Sequence, residues 1–368
     1  MVKKICCLTT AVLVFLNIIL AIPVEAAALR VDAVSAIAID NKTGMVLFDQ
    51  NGHKVIPMAS TTKIITALVV LEYGNLNQEV EISSNAASIR GSKVGYKAGE
   101  KITIRELLYG LMLKSGNDCA IALAEGISGS VAEFCKVMNE YAVTIGILDS
   151  HFESPHGLDS QNHYSSAYDL AMATRKAKEH SEFTRIVATK NINSEEGVQF
   201  TREFNNINKL LYQEPSCTGV KTGYTGQAGK CLVSSFKIDE NEIIVVTLNC
   251  TPRWRESQKI YEYVKENYQY NKLYEAGKVL GEVHIRGSEK LIPLTLDEDI
   301  IVPVKEGENM DIHINIPEYP LNTPLSIEDS IGNISIVNEL HSHYVKCLHP
   351  LENIERPGII ERIKNMFD

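Results

Sequence analysis

The spacing of hydrophobic residues changes along this chain, and each change marks an element. From Ser60 to Leu71 the apolar residues Ile64, Ala67, Leu68 and Leu71 recur at intervals of three and four, the spacing that lines one face of a helix, with Pro57 just before its start. Ile104, Leu107, Leu108 and Leu111 repeat that spacing in a second helix ending near Lys114, and an Ala- and Leu-rich third runs from about Asn117 to Gly126. Ala36–Asp40 and Met45–Phe48 read as two strands joined by the turn-rich Asn41-Lys42-Thr43-Gly44. Strands at Thr218–Thr222, Cys231–Phe236 and Glu242–Leu248 precede a closing helix from Glu256 to Asn267. Strands at both ends with helices between them predict an α+β domain.

The two termini follow other patterns. Lys3 and Lys4 precede an apolar run from Ile5 to Ile22, followed by Pro23 and the small-residue tract Ala26-Ala27-Ala28. That order is a secretory signal peptide over 1–28, so the chain is expected to be exported; an uncleaved anchor is the alternative, since the run is near the lower limit for spanning a bilayer. After about Leu273 the period becomes two, in Val279/Val283/Ile285, Val302/Val304 and Ile312/Ile314/Ile316, punctuated by prolines. A domain over 29–273 is therefore followed by a small all-β domain over 274–353. In the last segment, 354–368, Ile359, Ile360, Ile363, Met366 and Phe367 fall on one side of a helical wheel, opposite Glu361, Asn365 and Asp368 and flanked by Arg362 and Lys364. This predicts an amphipathic helix anchored at a membrane surface, with packing on the β domain as the alternative.

Composition narrows the class. With 368 residues, 45% hydrophobic and 22% charged, the chain has ample core material and is neither disordered nor fibrous. A net charge of −10 offers no footprint for nucleic acid. Cys119, Cys135, Cys217, Cys231, Cys250 and Cys347 follow the signal segment; no zinc-ligand spacing connects them, and mostly free, buried thiols are expected. Cys231 should pair across a hairpin with about Thr222 rather than with Cys217. The His341/His343 pair lacks a third ligand, so no metal site is expected, and nothing in the sequence asks for a cofactor.

Candidate chemistry lies in three short motifs. Ser60-Thr61-Thr62-Lys63 puts a hydroxyl and an amine on one face at a helix head, where Ser can be a nucleophile and Lys its base. Ser234-Ser235-Phe236-Lys237 fits the same pattern in a predicted strand. Ser115-Gly116-Asn117 fits S-x-N, as do Ser83-Ser84-Asn85 and Ser160-Gln161-Asn162; Lys221-Thr222-Gly223 fits K-T-G, as does Lys42-Thr43-Gly44. Order and context select Ser60…Lys63, then Ser115…Asn117 between helices, then Lys221…Gly223 ending a strand. Lys42-Thr43-Gly44 precedes the nucleophile in a hairpin turn and is assigned no chemistry.

With these motifs the chain resembles the serine penicillin-recognising enzymes, and within them the low-molecular-mass penicillin-binding proteins that are D-alanyl-D-alanine carboxypeptidases. The similarity extends to Ser154-Pro155-His156-Gly157-Leu158-Asp159, His163-Tyr164-Ser165-Ser166-Ala167-Tyr168-Asp169, Asn206 to Leu211 and Gly219 to Thr225, covering nearly all of the chain after the signal segment. It implies a penicillin-binding/β-lactamase-like transpeptidase fold and removal of the terminal D-Ala from peptidoglycan stem peptides through an acyl-enzyme on Ser60, with β-lactams as covalent mimics of that substrate. It further implies Lys63 as base, Ser115 as proton relay, and Asn117, Lys221, Thr222 and Gly223 along the substrate. Backbone N–H groups of Ser60 and Tyr224 form the oxyanion hole in this reading. The family's carboxylate-binding Arg matches Arg253, with Arg255 the alternative two residues on.

Two other readings remain. A β-lactamase would need an additional Glu with an Asn four residues later; Glu153, Glu179 and Glu182 lack it. A catalytically silent wall-binding protein would keep the fold but has no reason to keep all three motifs. His156 and His163 are read as structural rather than as bases.

Overall fold

Five strands form the central antiparallel sheet, in the order β2-β1-β9-β8-β7. They are β1 (Ser35–Asp40) and β2 (Val46–Gln50) from the start of the chain, and β7 (Cys217–Thr225), β8 (Gly229–Ile238) and β9 (Asn241–Leu248) from its later part. This computed structural model describes residues 29–195, 197–286 and 290–356. The predicted signal segment and the last twelve residues of the predicted anchor, from Pro357, lie outside the described residues. β1 and β9 pair from Ser35↔Leu248 to Asp40↔Ile243, and both are buried almost throughout. Burial on two faces explains their continuous apolar runs, which alternation alone would not produce.

Between β2 and β7 the chain is mostly helical: α1 (Lys63–Tyr73), α2 (Ser84–Ser88), α3 (Ile104–Leu113), α4 (Asn117–Ser128), α5 (Val131–Thr144), α6 (Ala167–Lys178), α7 (Ser181–Ala188) and α8 (Leu210–Gln213). Two small hairpins, β3 (Glu79–Glu81) with β4 (Lys101–Thr103) and β5 (Asn191–Glu195) with β6 (Val198–Asn205), are inserted among them. Thr103, Ser130 and Ser166 each cap a helix by accepting from the backbone N–H three residues on, and an acidic residue occupies that third position in each case. Ile64, Leu68, Leu107, Leu108 and Leu111 are buried with Val233, Ile244 and Val246 in one core. On the other face α9 (Arg253–Asn267) packs its Tyr261 ring against Phe236, stacked at 4.7 Å.

The β-rich region starts at β10 (Tyr268–Tyr274), directly after α9 and earlier than the composition shift suggests. Its aromatic and polar residues carry no aliphatic alternation to announce a strand. β10 pairs with β13 (Ile300–Lys305), while β11 (Val279–His284), β12 (Leu291–Thr295), β16 (His343–Pro350), β15 (Gly332–Val337) and β14 (Asp311–Asn315) form the last sheet in that order. The alternation at Ile312 and Ile314 does mark a strand, but β14 lies at the sheet edge and leaves them 38% and 41% exposed. Ile354 pairs with Leu325 and packs on this core, so the first residue of the predicted anchor segment belongs to the β region.

The two regions are joined at the β1–β2 turn. Met45 is fully buried in the core of the β region. Asn338 Nδ2 donates to the Val46 carbonyl at 2.7 Å, and the Tyr270 hydroxyl to Asp40 at 2.8 Å.

Candidate active site

The Ser60 turn is not yet α-helix. Ala59–Thr62 forms a 3-10 turn leading into α1, and Ala59 holds a left-handed φ of 53°. A non-glycine residue there is strained and persists only where the surroundings impose it. Gly157 is part of that frame: a Cβ on it would lie 2.1 Å from the Ala59 carbonyl oxygen, so only glycine admits the 154–159 loop against the turn. Thr62 Oγ1 donates to the same carbonyl at 2.8 Å and receives a hydrogen bond from His163 Nε2 at 2.9 Å. His163 Nδ1 accepts from the Glu153 N–H at 3.0 Å, which fixes the proton on Nε2. Burial lowers His163 to about 4, so it is a neutral strut, as expected of it from the sequence.

Lys63 is fully buried. Its Nζ lies 3.1 Å from Ser60 Oγ, 2.8 Å from Asn117 Oδ1 and 2.7 Å from the His156 carbonyl oxygen. Asn117 Nδ2 donates to the Arg90 carbonyl at 2.8 Å, so its oxygen must be the atom facing Lys63. Burial first, and the positive charge of Lys221 second, hold the Lys63 amine far below its ordinary value, against smaller upward pulls from Cys119 and Asp118. A neutral amine has two N–H donors and one lone pair. The two carbonyl-type oxygens can only accept, so they take the hydrogens, and the lone pair is left facing the Ser60 hydroxyl.

Ser115 stands between α3 and α4 with a left-handed φ of 59°, and is 4% exposed. Its hydroxyl is not among the partners of Lys63. The next turn is fixed from both sides: Asn117 N–H donates to the Ser92 carbonyl, while the Asp118 carboxylate accepts from the N–H groups of Val94 and Gly95 at 3.0 and 2.7 Å. These bonds hang the 89–99 loop on the head of α4.

Strand β7 closes the site on the other side. A Cβ on Gly223 would meet the Met58 carbonyl at 3.0 Å and Ser60 N at 3.2 Å, so the strand runs as close to the nucleophile turn as a missing side chain allows. Thr222 is buried and Tyr224 is 67% exposed, its ring pointing out while its backbone stays in the strand. Lys221 is 1% exposed, and burial, then Arg253, lower its amine to about 7. Arg253, in the first turn of α9, donates through Nη1 to the carbonyls of Gly223 and Cys231 at 2.6 and 3.0 Å. Its Nε is buried with no partner. Arg255 instead lies 74% exposed and pairs with Glu256.

All nine residues singled out from the sequence thus belong to elements that meet around Ser60. Sequence reasoning missed the His156 carbonyl, the Arg90 and Ser92 carbonyls and the Asp159 carboxylate, which accepts from Thr225 Oγ1 at 2.5 Å and ties the 154–159 loop to the β7–β8 turn. Main-chain oxygens leave no signature in side-chain motifs. The repeated matches fall elsewhere: Ser234 Oγ donates to the Val245 carbonyl inside the sheet, and Thr43 of the early K-T-G donates its hydroxyl and backbone N–H to the Asp40 carboxylate. The Glu153 carboxylate bonds to Asn162, Glu179 pairs with Lys176, and Glu182 with Arg105 and Arg185, and none of the three carboxylates bonds to Ser60 or Lys63. All six cysteines in the described residues are free, and five of them are buried; Cys231 faces Gly223 across the hairpin, one residue from the expected partner.

The profile of the D-alanyl-D-alanine carboxypeptidase family matches residues 22–251, and that of the penicillin-binding protein 5 C-terminal domain matches residues 268–355. The D-alanyl-D-alanine carboxypeptidase DacF of Bacillus subtilis (strain 168) is 35% identical over 344 residues, covering 90% of this chain and 88% of the relative. The D-alanyl-D-alanine carboxypeptidase of a Streptomyces species is 33% identical over 251 residues, 63% of this chain and 86% of its own. Among solved structures, penicillin binding protein 5 from Haemophilus influenzae superposes with a TM-score of 0.75 at 26% identity, covering 90% of this chain and all of that one.

Proposed function

Because this chain belongs to the D-alanyl-D-alanine carboxypeptidase family, we propose that the residues around Ser60 carry out that family's reaction in the following roles. Ser60 Oγ attacks the carbonyl carbon of the penultimate D-Ala of a stem peptide while its proton passes to the Lys63 lone pair. The tetrahedral oxyanion is met by the backbone N–H groups of Ser60 and Tyr224. On collapse the C–N bond breaks, and the departing amine takes a proton from Lys63 through the Ser115 hydroxyl. The acyl-enzyme then reacts with water, whose proton returns by the same route, freeing the shortened peptide and Ser60. A β-lactam enters by the same attack and stays as an acyl adduct.

Lys221, Thr222 and Arg253 take the terminal carboxylate. Buried Lys221 beside half-buried Arg253, neither paired with a carboxylate among the described residues, plus an unpartnered Arg253 Nε, are what an incoming carboxylate would satisfy. Asn117 orients the Lys63 amine and faces the bound peptide, and Gly223 lets the extended peptide lie along β7. The observation that carries this reading is the fully buried Lys63 amine within 3.1 Å of Ser60 Oγ, flanked by the Asn117 and His156 oxygens, which can accept both hydrogens of its neutral form and leave the lone pair for Ser60. Incubation with a stem pentapeptide, following free D-Ala, tests it together with intact mass after exposure to a penicillin. One long-lived adduct per chain with D-Ala release is expected; rapid penicillin turnover, or no adduct, would overturn the assignment.

The domain plan proposed is a signal peptide over 1–28, a catalytic domain from 29 and a β domain after it, their expected boundary at 273/274 moved back to Tyr268 and the expected end at 353 extended to Ile354, and an anchor helix in the rest of 354–368. The last places the exported enzyme on the outer face of a membrane, where its substrate is assembled. Support comes from the amphipathic pattern of 359–367 beyond Pro357-Gly358. No helix among the described residues is long and apolar enough to cross a membrane. Truncation after Arg356 should release the protein from vesicles without slowing hydrolysis of a soluble peptide.

A further inference from the structure

Away from Ser60, the early K-T-G turn and β16 enclose a cleft of about 320 Å³ at the junction of the two regions. Its walls come from three elements: Lys42 from the β1–β2 turn, Arg175 from α6, and His343, Tyr344 and Lys346 from β16. Three permanent cations therefore converge on one cavity of a chain whose net charge is −10. Glu298 is shared by two of them, pairing with Lys42 at 3.3 Å and with Lys346. Asp297 also acts on Lys346, and Asp40 is taken by Thr43 and by the Tyr270 hydroxyl.

Arg175 has carbonyl partners only. Its Nε and Nη2 donate to the Asn41 and Lys42 carbonyls at 3.0 and 2.8 Å, which fixes the guanidinium plane beside the cleft and leaves its charge uncompensated by any carboxylate among the described residues. Tyr344 supplies the second, independent observation. It is 6% exposed, and its hydroxyl is buried with no hydrogen-bond partner. Burial pushes that phenol up, Lys346 and Arg175 pull it down, and Glu298 and Asp40 push it up again, so the hydroxyl stays protonated among charges of both signs. A buried hydroxyl left unpaired costs roughly 1–3 kcal/mol, a loss that an acceptor in the cleft would remove.

We infer that this cleft binds a phosphate-class oxyanion, held by Arg175, Lys42, Lys346 and the Tyr344 hydroxyl. Donors arriving from a turn, a helix and a strand surround the cavity from different sides, which suits a tetrahedral anion with several acceptor oxygens better than a planar carboxylate. The same headgroup chemistry belongs to free phosphate, to a phosphodiester polymer and to an anionic lipid. Binding joins the catalytic and β regions through one ion and so stiffens their junction. This site is independent of the Ser60 assignment.

The test is thermal unfolding of the full chain in inorganic phosphate against sodium chloride of equal ionic strength. The wild type should gain stability saturably with phosphate. Arg175→Gln should abolish the gain, and Tyr344→Phe should weaken phosphate binding about tenfold while raising the melting temperature in chloride, because it removes the unpaired hydroxyl. Tyr344→Phe keeps the ring and its packing, so it remains informative if Arg175→Gln folds poorly. D-Ala release from a soluble pentapeptide should be unaltered in both. Flotation with anionic against zwitterionic phospholipid vesicles assigns the source: retention that phosphate competes away points to a lipid headgroup, and a phosphate response without it to a soluble or polymer-borne phosphate. A wild type that melts alike in both salts, or variants that respond as it does, would overturn the inference.

Discussion

Ser60 and Ser234 each stand three residues before a lysine, yet one tetrad sits at a helix head and the other in the middle of a sheet. At the head of α1, positions three apart share a face, and Lys63 Nζ reaches Ser60 Oγ. In β8, positions three apart point to opposite faces: Ser234 is buried against β9 while Lys237 is exposed. The same divergence separates the two K-T-G triplets. Lys221-Thr222-Gly223 lies on an edge strand pressed against the nucleophile turn, whereas Lys42-Thr43-Gly44 closes a hairpin. What distinguishes the working copy in each pair is the backbone beneath it and the burial around it. Burial has a direct chemical effect, because it lowers the proton affinity of both lysines, Lys221 to about 7 and Lys63 well below its ordinary value.

The sharpest way to break this comparison is to remove each hydroxyl. Ser60→Ala should lower D-Ala release on the order of a million-fold and abolish penicillin labelling, because nothing replaces the nucleophile. Ser234→Ala removes one long hydrogen bond to the Val245 carbonyl and should leave both assays unchanged, with about 1 kcal/mol lost in denaturant unfolding. Labelling that survives Ser60→Ala would sink the mechanism.

A second test addresses burial itself. Lys221→Met should slow D-Ala release roughly a hundredfold, through the lost contact to the substrate carboxylate and the loss of the cation that keeps Lys63 neutral. Since Lys63 must be unprotonated to act, and removing the Lys221 charge raises its affinity for protons, the acid limb of the pH–rate profile should move to higher pH. Stability should move the other way from activity. Lys221 titrates at about 7 when folded and near its ordinary 10.5 when unfolded. The unfolded chain therefore binds more protons between those values, and wild-type stability rises with pH across that window. Lys221→Met escapes this penalty, so its advantage in melting temperature should be largest at pH 6 and shrink towards pH 10. An advantage that grows with pH would show that Lys221 is not buried as a strained cation.

These contrasts also mark how far the sequence could be read. The helices with aliphatic residues at intervals of three and four, and the buried strands of the central sheet, were legible because each carries its own period. Tyr268–Tyr274 was not, because its strand is aromatic and polar, and the alternation at Ile312 and Ile314 marked a strand but not its edge position, because alternation reports pleat and not whether a neighbour covers it. Every motif side chain of the site could be named from order and context. The carbonyls of His156, Arg90 and Ser92, which decide where the hydrogens of Lys63 and Asn117 point, could not, since any residue type supplies them.

A third pair separates the two arginines of Arg253-Trp254-Arg255. Arg253→Ala should cost about 10- to 100-fold in kcat/KM for a substrate with a free terminal carboxylate, roughly 1.5–3 kcal/mol for a charge-assisted hydrogen bond. Arg255→Ala should leave kcat/KM unchanged, because this exposed guanidinium bonds to the buried Glu256 carboxylate and not to the groups around Ser60. An amidated substrate should react slowly with the wild type and no more slowly with Arg253→Ala. Equal rates for acid and amide would remove Arg253 from the site.

The smallest effect, and the finest test of context, comes from adding one methyl group to each K-T-G. In Gly223→Ala the new Cβ meets the Met58 carbonyl at 3.0 Å and Ser60 N at 3.2 Å, tighter than ordinary contact and against backbone that cannot rotate away. The strand must yield by a few tenths of an ångström. That displacement falls on the distance between β7 and the nucleophile, where a shift of about 1 Å is worth roughly a hundredfold, so a loss of about three- to tenfold in kcat/KM is expected with little change in stability. Gly44→Ala inverts both readouts. Its φ of 76° is one that L residues rarely adopt, while its nearest neighbour, Arg175 Nε, lies at an ordinary 3.4 Å. The strain should appear as about 1 kcal/mol in unfolding, with kcat/KM untouched. If Gly223→Ala instead unfolds the protein and leaves the rate of the surviving fraction unchanged, the close approach of β7 serves the fold and not the reaction.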